Sequence, residues 1–376
     1  MSQPLIQEKL NRLLTYLAQD ENNLMLLIEI SNLYVELKNL ELAQQYLNKA
    51  KLINDEACKG HQGLINLNLG LFDEAKINFQ EALKLSDTVA LRYNLGFTCF
   101  IINELDEAWD ALAPILNENL HHPEAELLMS RICHRKNDLE QAASLAENVL
   151  ANNETDAEAL GLLSLIYLDL NEDELAAQAS HRTLELDKDN YDAQIVSLML
   201  RLETQNTSIN EIEQLLKINP EDSRLWFALG ATHMIEGNLT AAEQALIKTT
   251  EIHPEFYDAL ISLAWCQLLN NHLNEAHETY QNAITLVDEL ADAWAGLALI
   301  YVLNEDFIKA EQLIAKANEL SPDCFLTEIA ETIYLTHKNP EKAKSHLLKT
   351  LKDSKIPVSE KLLFILEDIK ESEQLH

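Results

Sequence analysis

The sequence has little glycine or proline, only eight of each among 376 residues, against a usual ~7% and ~5%. β-Sandwiches, β-barrels and Gly-rich phosphate loops are therefore not expected. Positive charge is also scarce: 28 Lys and Arg face 62 Asp and Glu, for a formal net charge of −34. Phosphate backbones and anionic lipid heads are bound by clustered Lys and Arg, so nucleic acid is not an expected partner. The longest apolar runs, residues 160–168 and 297–303, fall short of the ~20 residues that cross a bilayer. Membrane insertion is accordingly not expected. Residues 1–14 lack the basic-then-apolar run of a secretion signal. The five cysteines are odd in number and form no C-x-x-C, as suits small buried side chains in a reducing compartment. The expected location is cytoplasmic.

What the sequence does have is a repeat. The patterns LELA, FDEA, LDEA, LEQA, DELA, LTAA, LNEA and FIKA recur, and their alanines (Ala43, Ala75, Ala108, Ala142, Ala176, Ala242, Ala276, Ala310), continued by Ala343, mostly lie 32 to 34 residues apart. Twelve residues before most of them sits a second small residue: Ser31, Gly63, Gly96, Ser130, Ser164, Gly230, Ala264 and Ala298. A small residue on each of two helices marks a close crossing. Apolar residues recur between these landmarks at helical spacing, with Gly70, Asn103, Asn137, Asn171 or Gly237 in the middle. Each unit thus reads as two short helices, and helices of ~14 residues, ~21 Å long, bury both apolar faces only if successive hairpins stack.

Residues 223–256 carry Trp226, Leu229, Gly230, Gly237, Leu239, Ala242, Leu246 and Pro254 at signature spacing. This segment resembles the tetratricopeptide repeat (TPR). Aligned on the alanine, repeats start near residues 24, 56, 89, 123, 157, 191, 223, 257, 291 and 324. The resemblance implies an all-α fold: a right-handed superhelical solenoid of about ten helix hairpins. Residues 24–357 form the array, with capping helices at 1–23 and 358–376. The sixth repeat is degenerate, being short, with Leu198 at the small position. Lys59, Arg92 and Glu126 replace the large apolar fourth residue in repeats two to four, and Glu331 takes the small position in the tenth.

Many acids fall at expected helix starts, including Asp73, Glu74, Asp106, Glu107, Glu158, Asp192, Asp258 and Asp292, where the helix dipole favours them. A solvated acidic exterior and an acidic docking face for a basic partner are both open readings. Lys338, Lys342, Lys344, Lys349, Lys352 and Lys355 are a local exception. They read as a solvated final repeat, or as a point of self-association with a second copy.

In the TPR family the first helix of each repeat lines the concave face. By that resemblance the lining is apolar, and its candidate partner-binding residues are Tyr93, Phe97, Phe100, Arg131, His134, Leu165, Leu168, Met199, Phe227, Met234, Trp265 and Leu268. Burying one apolar side group of a partner there is worth ~1.5–3 kcal/mol. An aromatic stripe at helical spacing is equally the mark of a core covered by its neighbours. Arg131 and His134, with Arg135 beside them, would either hold a partner carboxylate or pair with the protein's own acids. The Lys/Asn/Arg set of carboxylate-clamp TPR domains and the Asn ladder of sugar-transferase arrays are both missing.

Chemistry finds little support. The sequence has no H-E-x-x-H, EF-hand loop, Walker loop, G-x-S-x-G or dinucleotide fingerprint. His121, His122, Cys133, His134, His272 and His277 lack ligand spacing, and Cys99 and Cys133 occupy equivalent repeat positions, as core residues would. No catalytic residue, metal or cofactor is expected. The expected function is that of a non-enzymatic scaffold or adaptor binding an apolar peptide or amphipathic helix of a protein partner. The alternative is a regulatory or targeting subunit of a separately encoded enzyme complex, for example in glycan or envelope assembly.

Overall fold

The computed structural model describes residues 3–116, 121–202, 207–339 and 343. The expected C-terminal capping helix and most of the Lys-rich stretch lie outside them. Among the described residues there are twenty α-helices, one short 3-10 turn (Glu56–Cys58) and no strand. After α1 (Gln3–Leu17), hairpins follow: α2 (Leu24–Glu36) with α3 (Leu40–Lys51), α4 (Lys59–Asn68) with α5 (Phe72–Leu85), α6 (Val89–Ile101) with α7 (Leu105–Leu116), α8 (Pro123–Arg135) with α9 (Leu139–Asn152), and α10 (Ala157–Asp169) with α11 (Asp173–Leu186). Then come α12 (Tyr191–Leu202), the shorter α13 (Ile209–Ile218), α14 (Ser223–Ile235) with α15 (Leu239–Ile252), α16 (Tyr257–Leu269) with α17 (Leu273–Leu286), α18 (Ala291–Leu303) with α19 (Phe307–Leu320), and α20 (Phe325–Lys338). The protein is an all-α repeat solenoid in two compact units, Met1–Ala193 and Gln194–His376.

The local causes of these helices repeat with the sequence. Asn23, Asn39, Thr88, Asp138, Asp156, Asn238 and Asp306 cap helix starts by accepting a backbone N–H three residues on. Asp73, Glu74, Asp106, Glu107, Glu158, Asp192, Asp258 and Asp292 all lie in first turns. Each adds ~0.3–1 kcal/mol through the dipole, so much of the acidity is local helix chemistry. The turn inside a hairpin requires a left-handed residue. Gly70 and Gly237 have φ of 76°, and Asn103, Asn137, Asn171 and Asn271 lie between 59° and 65°. Lys38 and Glu305 fill the same place at φ 57° and 60°, where a Cβ is strained.

In five hairpins the close crossing takes one of two forms; in others Ala264 and Ala298 occupy the small position, and Ser164 Oγ donates to Gly161 O of its own helix. Ser31 Oγ donates to Ala43 O at 2.8 Å and Ser130 Oγ to Ala142 O at 2.7 Å, so the small residue meets the alanine's carbonyl directly. Where the small residue is glycine, a large side chain four positions after the alanine fills the gap. A Cβ on Gly63, Gly96 or Gly230 would come within 2.8, 2.6 and 2.7 Å of Phe79, Leu112 and Leu246. These three side chains are completely buried, each worth ~1.5–3 kcal/mol. Between hairpins, Tyr280 of α17 lies against Gly296 of α18, whose Cβ would sit 2.1 Å from Tyr280 Cζ.

Gly296→Ala should therefore destabilise the protein by about 2–3 kcal/mol, despite the better helix propensity of alanine. Tyr280→Phe, which removes a buried hydroxyl without a hydrogen-bond partner among the described residues, should stay within about 1 kcal/mol of wild type. Glu305→Gly should gain about 0.5–1 kcal/mol by relieving the left-handed strain. Thermal melts followed by far-UV circular dichroism test all three signs.

Candidate partner-binding surface

The candidate residues divide between the two units. In the first, α6 presents Tyr93, Phe97 and Phe100 along one face. All three are half-buried. Their inner edges pack on the core around Phe79, Leu112 and Met129, and the Tyr93 and Phe97 rings stack with centroids 6.3 Å apart. They are neither sealed by neighbouring helices nor fully open. Burial, and then the charges of Glu124 and Glu158, push the Tyr93 phenol above its ordinary pKa, so it stays a neutral donor.

The basic residues of this face are not equivalent. Arg131 on α8 reaches two carboxylates at 2.9 Å, Glu158 on α10 and Asp192 on α12. Burial works against its charge, but Asp192 and Glu158 more than offset that and hold its pKa above the ordinary value. His134 Nε2 lies 2.6 Å from Asp169 of α10. Arg135 instead stacks on Phe100, with Cζ 3.8 Å from the ring centroid, and donates from Nη1 to Phe100 O at 3.0 Å. Of the other two candidates here, Leu165 is a core residue at 5% exposure, because its side of α10 is covered, and Leu168 is half-buried.

In the second unit Phe227, Met234 and Trp265 are half-buried and pack on the core that includes Leu263 and Leu297. Phe227 and Phe256 are 4.9 Å apart. Leu268 is buried at 7% within that core, and Met199 is half-buried. Of the five candidates in this unit, Met199, Phe227, Met234 and Trp265 therefore stay partly accessible.

Three places elsewhere bear on chemistry. Cys99, Glu104 and Glu107 converge within 4.8 Å, but Lys76 already sits against both glutamates, 2.6 Å from Glu107. Burial opposes its charge, yet the two hydrogen bonds hold its pKa above the ordinary value; the cluster is an ion-paired group. A pocket of about 400 Å³ in the first unit is lined by Asn32, His61, Ala82 and Leu91 among others. His61 lies 3.0 Å from Asn32 Oδ1, and burial lowers its pKa, which keeps it neutral. All five cysteines are buried, and burial raises the Cys99 and Cys133 thiols to about 11 and Cys266 to about 12. None has the depressed pKa of an activated nucleophile.

Of the two readings of Arg131 and His134, pairing with the protein's own acids is the one found, but the sequence alone does not name those acids. It places Glu158 and Asp192, the partners of Arg131, only at helix starts, and does not single out Asp169, the partner of His134. A signal existed: ninth position of one repeat to second position of the next one or two, since hairpins stack in register. Asp192 is only 8% exposed, so Arg131→Met, which leaves it unpaired, should cost about 1–3 kcal/mol. Lys136→Ala should change stability by less than about 0.5 kcal/mol, because its partner Asp106 is 90% exposed. Comparing the two variants by chemical denaturation checks the contrast.

The Tetratricopeptide repeat family models match residues 135–192 and residues 26–56, 59–88 and 291–324. The protein is 25% identical over 138 residues to Tetratricopeptide repeat protein 37 of Xenopus laevis, covering 33% of its own length and 9% of that protein. It is 21% identical over 267 residues to Superkiller complex protein 3 of Mus musculus, covering 64% of its own length and 16% of the other. It thus spans only a small part of the length of these curated relatives. Among solved structures it is similar to the APC/C hetero-tetramer Cut9-Hcn1, with TM-score 0.44 and 15% identity over 96% of its length and 86% of the matched structure. The matched segments, together with the hairpin geometry described above, are tetratricopeptide repeats.

Proposed function

We propose that this protein is a non-enzymatic scaffold or adaptor that holds an apolar peptide or amphipathic helix of a protein partner on its first-helix faces. Repeats of this family form protein-protein interaction scaffolds, which supports the class of function. The observation that carries the finer reading is the half-buried aromatic face of α6. Tyr93, Phe97 and Phe100 keep accessible ring edges although a few residues away Leu95 and Cys99 are sealed in the core. An apolar partner group that covers such edges gains ~1.5–3 kcal/mol, and rigid aromatic rings are frequent interface anchors. The reading also takes the protein to work in the cytoplasm and to bring no cofactor. Its thiols, set high by burial, suit a binding protein better than a nucleophilic enzyme.

Affinity purification with the full-length protein, against a Tyr93→Ala/Phe97→Ala/Phe100→Ala variant, tests this reading. Partners recovered by the wild type should be lost from the variant, with affinity reduced at least tenfold, or about 1.4 kcal/mol or more. Because these rings also pack on the core, circular dichroism must first show the variant folded, and Phe97→Leu serves as the milder substitute. A folded variant that recovers the same partners at the same affinity would refute the proposal.

A further inference from the structure

Beside the aromatic face, the structure separates one cation from the rest. Arg131 is held by Glu158 and Asp192, His134 by Asp169, and Lys136 by Asp106. Arg135 sits among these residues and has no carboxylate within ion-pairing distance among the described residues. Its one hydrogen bond there is from Nη1 to the Phe100 carbonyl, and its flat face rests on the Phe100 ring. Burial and the nearby Arg131 guanidinium push its pKa below the ordinary value, the direction for a charge with no acid to offset it.

We propose that the Arg135–Phe100 platform is a carboxylate-recognition point on the first unit, taking one carboxylate of an apolar peptide segment whose neighbouring side groups cover Phe97 and Tyr93. This rests on the binding-surface reading given above and deepens it.

The chemistry follows from the geometry. A guanidinium has five N–H donors in a planar fork, and only one is spent on Phe100 O. Stacking on the ring fixes the plane, so the remaining edge is oriented before a ligand arrives, and a planar fork matches a carboxylate in two parallel bonds. The other end of the face has the opposite character: Glu124 and Glu158 act on Tyr93. Tyr93 and Phe100 lie seven positions apart on α6, about 10 Å along its axis. The surface therefore selects for position as well as charge. A segment with its carboxylate at the Phe100 end is attracted, whereas one with acids at the Tyr93 end, or along its whole length, is repelled. The carboxylate has two sources, an Asp or Glu side group and the terminal carboxyl of a polypeptide, with the same chemistry at Arg135.

The test uses a randomised synthetic dodecapeptide pool with free C-termini, captured on the immobilised full-length protein and sequenced by mass spectrometry. Retained peptides are then resynthesised with a fluorescent label as free acid, as C-terminal amide and with Glu or Asp changed to Gln or Asn. The retained peptides should carry one carboxylate beside aromatic or leucine residues. Removing it should weaken binding about tenfold; the amide form reveals a terminal carboxylate and the Gln or Asn form a side-group one. Arg135→Gln should weaken the parent peptide by a similar factor and bind the neutralised peptide no worse than wild type does. Arg135→Lys, which keeps the charge but not the fork, should recover only part of the loss. Circular dichroism checks that each variant is folded. Peptides that need Phe97 but bind alike to wild type and Arg135→Gln would overturn the carboxylate proposal and leave the surface standing. Failure to retain any peptide, or retention indifferent to Phe97→Ala, would overturn both.

Discussion

Within a hairpin, the two helices approach so closely that the first has almost no room for a side group at the crossing. The rest of the structure depends on this constraint. It is met by serine where the hydroxyl can bond the facing carbonyl, as Ser31 and Ser130 do, and by glycine where a large residue from the second helix needs the space, as Phe79, Leu112 and Leu246 do. The two solutions put stabilisation in different places. One satisfies a polar group in a tight gap; the other removes a large apolar residue entirely from water. Both fix the rotation of the first helix, and so decide which side chains face outward beside the small residue.

That rotation sets the character of the α6 face. Once Gly96 is turned inward against Leu112, Tyr93, Phe97 and Phe100 fall on the side that is only partly covered. The neighbouring charges are arranged around them. Acids sit in first turns, where the dipole favours them, and the same acids reach across to Arg131. A single set of carboxylates thus supports helix starts and ties successive repeats.

Much of this was legible in the sequence because its causes are local and periodic. The alanines and small residues marked the crossings, and Gly70, Asn103, Asn137, Asn171 and Gly237 marked turns that need a left-handed residue. Lys38 and Glu305 fill equivalent turns without a residue type that announces it. The candidate face was harder to read. Its aromatic residues could be named from the resemblance to the TPR family, but Leu165 and Leu268 could not be told from them: both belong to the same register, and only the packing of adjacent hairpins decides their cover. Arg131, His134 and Arg135 likewise formed one basic spot in the sequence. Stacking separates them, because partners from α10 and α12 reach the first two and not the third.

The double ion pair of Arg131 has a consequence for how force and unfolding would pass along the array. In a solenoid each repeat ordinarily communicates only with its immediate neighbours, so that a disturbance decays from one interface to the next. Arg131 belongs to α8, yet one of its carboxylates comes from α10 and the other from the start of α12. The guanidinium therefore spans two interfaces at once. It adds a link of second-neighbour range between α8 and the first turn of α12, beside the contacts that join adjacent hairpins.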